Sequence, residues 1–115
     1  MLQKSLRLGG RESFESIFRS KKAIFGSEIA LFFRFGSDHP ARIGFAFKQK
    51  SFPRAVTRHF LKRKGSAIMR ELHGTLPFGA DIIVLFQRPF VGAATYQGIR
   101  ESLEVLIERL NKEKK

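Results

Sequence analysis

The chain of 115 residues contains no cysteine, no tryptophan, one tyrosine and three histidines. Without cysteine there is no disulfide scaffold and no thiolate metal site, and the composition fits a reducing compartment such as the cytoplasm. His39, His59 and His73 are too scattered for metal-ligand spacing. No apolar run reaches the length of a membrane span; "IALFF" and "IIVLF" are strand-sized. The opening "MLQKSLRLGG" is charged and lacks the apolar centre of a signal peptide, so none is expected. Acids are scarce as well. Ten Asp+Glu stand against 22 Lys+Arg, a formal charge of +12, with a sequence pI near 11.0. These acids form no paired-carboxylate signature, and no Ser–His arrangement or phosphate-cradling glycine loop accompanies them, so no catalytic residue is assigned to the protein itself. Asp81, just before an apolar run, is expected to cap a turn.

What is present is enough for a core. Hydrophobic residues make up 43% of the chain, too many for a disordered tail, and the length suits one domain over residues 1–115. The terminal "NKEKK" is expected to fray from about residue 111. Such self-repulsion destabilises a compact domain and is usually retained for a polyanionic partner, nucleic acid first and an anionic membrane surface second.

Periodicity gives the order α-β-β-α-β-α, a small α/β (α+β) two-layer sandwich with helices packed on a sheet. Residues 11–20 read as a short helix, with Phe14, Ile17 and Phe18 on one face. Residues 27–35 and 41–48 alternate as strands. The turn signal "GSDHP" between them suggests an antiparallel hairpin. Residues 54–72 form a long helix after Pro53. Residues 80–89, nearly all apolar, read as a central strand covered on both faces. Thr95 is placed to cap a final helix striped by Ile99, Leu103, Leu106, Ile107 and Leu110. The strand–helix–strand from Ile43 to Phe86 makes two parallel strands, for which general statistics favour a right-handed crossover.

The long helix, "AVTRHFLKRKGSAIMREL", lies in a segment without an acid between Asp38 and Glu71. On a wheel stepped at about 100° per residue, Val56, Thr57, Phe60, Leu61, Ala67, Ile68 and Leu72 fill one half. Arg54, Arg58, His59, Lys62, Arg63 and Arg70 fill the other, with Ala55, Gly65 and Ser66 among them. Small residues there are expected to admit a phosphate backbone, gripped by the cations beside it. Phe60 is expected to pack in the core. A solvating face normally mixes signs; this one does not, which favours contact with a polyanion. Phe14 and Phe18 have two readings: stacking surfaces for the bases of a single strand, or plain packing on the sheet.

The chain resembles the protein subunit of bacterial ribonuclease P. Ala55-Val56-Thr57-Arg58-His59-Phe60-Leu61-Lys62-Arg63 is similar to the family's basic helix, roughly A-V-x-R-N-R-x-K-R, with His59 and Phe60 where the family carries Asn and a second Arg. "RLGGRESFESIF" looks like its first helix, with the F-x-x-x-F pair at Phe14 and Phe18. "RIGFAFKQK" and "ADIIVLFQRP" resemble two of its strands, and "TYQGIRESLEVLIERL" its last helix. The likeness spans nearly the whole chain in order.

The resemblance implies a left-handed β-α-β crossover, against the general rule. It implies a ribonucleoprotein endoribonuclease of the cytoplasm in which a partner RNA, with bound Mg²⁺, removes the 5′ leader of precursor tRNA. Neither a further protein nor a membrane is required. Arg54, Arg58, His59, Lys62 and Arg63 would face the catalytic RNA. Phe14, Phe18, Lys48, Lys50 and Arg88 would line or border a cleft for the leader, and no metal ligand is assigned. The alternative is a non-enzymatic basic RNA-binding protein of ribosomal or RNA-chaperone type; a membrane-surface protein is a weaker third.

Overall fold

A computed structural model describes residues 7–8, 11–20, 22–36, 39–89 and 96–114. In chain order the elements are α1 (Arg11–Arg19), β1 (Ala23–Phe25), β2 (Ile29–Arg34), β3 (Arg42–Phe47), α2 (Ala55–Leu72), β4 (Asp81–Phe86) and α3 (Tyr96–Lys114). The expected cap Thr95 and the loop over 90–94 lie outside the described residues.

The strands lie in the order β1-β2-β4-β3. β4 runs antiparallel to β2 and parallel to β3. The expected β2–β3 hairpin is therefore absent. Both strands prefer β4 as neighbour, because its nearly continuous apolar run needs a partner on each edge and cover on each face. The sheet also gains β1, too short at three residues to announce itself by alternation. α3 runs to Lys114, and Asn111 Nδ2 donates to the Thr75 carbonyl at 2.9 Å.

Alternation divides the sheet's side chains. Ile29, Leu31, Phe33, Ile43, Ile82, Val84 and Phe86 enter the main core with Leu61, Ile68, Met69 and Leu72 of α2 and Ile99, Leu103, Leu106, Ile107 and Leu110 of α3. The Phe47 and Phe86 rings stack with centroids 5.0 Å apart, and Phe52 abuts both edge-on. The opposite face carries a smaller cluster, Leu8, Ile17 and Ile83 with Phe14, Phe18 and Phe32 against it. The two-layer description thus fits the sheet with α2 and α3, while α1 covers part of the other side.

Strand register arranges that second face in rows. Arg42, Asp81 and Arg34 form the first; Gly44, Ile83, Phe32 and Ala23 the second; Ala46, Leu85, Ala30 and Phe25 the third. α1 sits on the second row. The Phe14 ring presses on Gly44, where an added Cβ would lie 2.4 Å from Phe14 Cζ. Phe18 meets Phe32 edge-on with centroids 4.8 Å apart. In the first row Asp81 is wholly buried, and its carboxylate accepts from Arg34 Nη2 at 3.1 Å and Arg42 Nε at 3.2 Å. Asp81 is therefore the counter-charge between two cationic strand ends. Ser16 Oγ accepts from Arg34 Nη1 at 2.6 Å, which ties α1 to this row.

Two substitutions test these contacts. Gly44→Ala drives the Phe14 ring off the sheet and lowers stability by about 1–3 kcal/mol in urea unfolding, as overpacking does. Asp81→Asn removes the shared counter-charge. Both arginines keep about a third of their side-chain surface in water, so the expected loss is about 2 kcal/mol, below that of a fully buried pair; a loss under about 0.5 kcal/mol, the level of an exposed pair, would place the ion pairs among surface contacts.

Candidate nucleic-acid interface

α2 is the crossover between parallel strands β3 and β4, so it starts where β3 ends and returns along the strand's outer side. Its start is fixed where Arg58 Nη1 donates to the Phe52 carbonyl at 2.8 Å. At its far end His73 Nε2 lies 2.9 Å from the Ala41 carbonyl oxygen. Midway, Gly65 brings the helix onto Phe45; a Cβ there would meet the ring at 2.7 Å.

That close approach sets the helix's rotation. Leu61, Gly65, Ser66, Ile68, Met69 and Leu72 are the buried residues of α2. Compared with the sequence wheel, the buried arc has turned by roughly 80°. Gly65 belongs to the core side and is not part of the open floor expected for a phosphate backbone; Ser66 is largely buried but still reaches a hollow beside the cations. Val56 and Phe60, expected inside, are 81% and 42% exposed. The wheel weighed side-chain type alone, whereas close packing favours the smallest residue where backbones approach.

Arg54, His59, Lys62 and Arg63 are exposed, and Arg58 is half-buried by its bond to Phe52. His59, Lys62, Arg63 and Ser66 line one hollow. Lys62 and Ser66 also reach a narrower one of about 90 Å³ with Arg7, Phe14, Gly44 and Phe45, so the basic helix and the aromatic of α1 share a boundary at the β3 edge. Among the described residues, ion pairs join Arg34, Arg42 and His39 to Asp81, and Arg100 to Glu71 and Glu104. None of them takes Arg54, Arg58, His59, Lys62 or Arg63.

The remaining predicted residues gather elsewhere. Phe47 and Phe86 are register partners, so Lys48 and Arg88 leave the sheet at one end. Lys50 is in the exposed turn after Lys48. Arg88 Nε donates to the Ser27 carbonyl at 3.1 Å. The third row of the sheet lies between this basic end and α1, with Ala46 and Leu85 half-buried and Phe25 58% exposed. Phe18 borders it, and Phe25 and Phe32 are edge-on at 5.8 Å. Of the row's two alanines, Ala46 is half-buried and Ala30 is wholly buried. Sequence reasoning passed over Arg7, Phe25, Ala46, Leu85, Lys64 and Tyr96. The alternation of β3 alone does set Ala46 and Lys48 on one face.

Among the described residues no group of three or more His, Asp or Glu side chains is placed to hold a metal ion, and no helix is long and apolar enough to cross a membrane.

The family model for ribonuclease P matches residues 2–111. The chain belongs to the ribonuclease P protein family. It is 33% identical over 110 residues to the ribonuclease P protein component of Legionella pneumophila, covering 94% of this chain and 91% of that one. The identity to the Cyanothece component is 30% over 123 residues, with 93% of each chain covered. The solved ribonuclease P protein of Thermotoga maritima superposes with a TM-score of 0.76 at 28% identity, over 90% of this chain and 96% of that one. The Staphylococcus aureus ribonuclease P protein shares the fold with the same TM-score at 22% identity, over 93% and 96%. The chain is thus the protein subunit of a ribonucleoprotein endoribonuclease that works in tRNA processing, and its partner is RNA.

Among the described residues, Glu71 borders the exposed arc of α2, and it is occupied. Glu71 accepts from the Tyr96 hydroxyl and from Arg100 Nη1. The Tyr96 hydrogen bond first, then that of Arg100, holds the Glu71 carboxyl below the usual carboxylate range. The same bond raises the Tyr96 phenol. A lowered carboxyl contributes stability above its unfolded pKa, lost as pH falls through the lowered value; a raised phenol contributes below its unfolded pKa, lost as pH rises through the raised one. Tyr96 is the chain's one tyrosine, so spectrophotometric titration reads it alone. It ionises above free tyrosine, and Glu71→Gln brings the midpoint back down.

Proposed function

We propose that the exposed arc of α2, with Arg54, Arg58, His59, Lys62 and Arg63, docks on the catalytic RNA of ribonuclease P. The protein also receives the single-stranded 5′ leader of precursor tRNA on the α1 side of the sheet. Phe14 and Phe18 form one wall of that path, the row Ala46–Leu85–Ala30–Phe25 its floor, and Lys48, Lys50 and Arg88 its basic end. The observation that carries this reading is the ridge of cations on α2 that no described carboxylate neutralises. Folding leaves these charges for a partner, and ribose-phosphate chains supply the matching charge at nucleotide spacing.

The protein's part is electrostatic and positional. Arginine offers a planar pair of donors to a phosphate, and lysine a compact charge. Neutralising phosphates on two RNAs at once lets catalytic RNA and precursor approach each other. The Mg²⁺ of the reaction is expected with the RNA subunit, and no protein ligand is named. The site of action is the cytoplasm. Membership in the family disfavours the alternative of a general RNA-binding protein, and leader removal by a bacterial ribonuclease P RNA at low Mg²⁺ on adding the chain separates the two.

Lys62→Ala and Arg63→Ala each weaken binding to the RNA subunit and flatten the plot of log affinity against log salt by roughly 0.7 to 0.9 per lost phosphate contact. These are cleaner tests than Arg58→Ala, which also frees the Phe52 carbonyl. Unchanged slopes for both would remove the docking face. With the assembled enzyme, precursor carrying a leader binds more tightly than mature tRNA; equal affinity would remove the leader path.

A further inference from the structure

Phe60 occupies the position at which the basic-helix pattern has a second arginine, and it is 42% exposed. No core cluster includes it. Lys64 Nζ lies 5.3 Å from its ring centroid. Phe60, Arg63, Lys64, Ala67 and Tyr96 line one open depression of about 470 Å³. Positions 60, 63, 64 and 67 form a single helical stripe. Arg63 also lines the hollow of His59 and Lys62, so the aromatic depression and the basic ridge share that residue. The nearby acid, Glu71, is engaged by Tyr96 and Arg100.

We propose that Phe60 is a stacking platform for an unpaired nucleobase of the RNA that docks on α2, with Arg63 and Lys64 holding the flanking phosphates. This rests on the docking reading above and adds to it a base contact where a charge contact would otherwise stand. A phosphate drawn to Lys64 arrives beside the ring, which brings its own base within reach of the aromatic face. Stacking needs an exposed aromatic face and tolerates any base; a lysine over the ring and an arginine on the same stripe select a nucleic acid over an apolar peptide. A lipid surface is disfavoured because, Phe60 and Val56 aside, the large apolar residues of α2, Leu61, Ile68, Met69 and Leu72, lie in the core.

The chain has no tryptophan, so Phe60→Trp places a unique fluorophore at the site without losing the aromatic face. Titrating this full-length variant with a bacterial ribonuclease P RNA should quench the indole emission at near wild-type affinity. Phe60→Ala and Phe60→Leu should both weaken binding roughly tenfold or more, with the salt slope unchanged. Wild-type affinity for Phe60→Leu, or emission that RNA does not alter, would overturn the platform. So would a spectral change that depends on protein concentration alone, or on phosphatidylglycerol vesicles and not on RNA. Lys62→Ala distinguishes the two levels: a flattened salt slope beside an inert Phe60 leaves docking intact and removes only the stacking.

Discussion

The parallel pairing of β3 with β4 decides where the cations of α2 end up. Two adjacent parallel strands cannot be joined by a tight turn; the chain must leave one end of the sheet and return to the other. Here α2 makes that return along β3, with Arg58 held to Phe52 at one end and His73 beside Ala41 at the other. A helix so confined can bury only one arc. Leu61, Gly65, Ile68, Met69 and Leu72 take it, and Arg54, His59, Lys62 and Arg63 are left in water. The cationic arc is therefore a by-product of sheet topology.

The same sheet serves two surfaces with opposite demands. The face under α2 and α3 is filled by large apolar side chains and stacked phenylalanines. The other is only partly covered, and its three rows do different work. Asp81 holds the first together against the repulsion of Arg34 and Arg42. Gly44 and Phe32 seat α1 on the second. The third runs from Ala46 on the β3 edge through Leu85 and Ala30 to the exposed Phe25. A chain with an excess of twelve positive charges places its one wholly buried described carboxylate where two strand ends would otherwise repel.

Much of this was legible from residue order. The alternation of β2 and β3, the unbroken apolar run of β4 and the stripe of α3 each reported a single, strong burial pattern. β1 was not legible, because three residues cannot establish a period. The β2–β3 hairpin was misread for a different reason: "GSDHP" marks a change of direction but says nothing about which strand comes to lie alongside. The basic helix is legible from its composition and period, but its rotation is not. Gly65 carries no hydropathy signal, and only the Phe45 ring across from it reveals that it faces inward. Phe60 followed from that error, since a phenylalanine counts as core on any wheel until the packing partner is known.

The sheet's two margins bear on the life of the free protein. A long open strand margin invites another chain to add on and polymerise. Here one margin is β1, only three residues long, and the other is partly occupied where Leu8 donates its amide to the Ile43 carbonyl at 2.8 Å. Together with the mutual repulsion of copies that each carry a formal +12, these margins disfavour strand-to-strand addition.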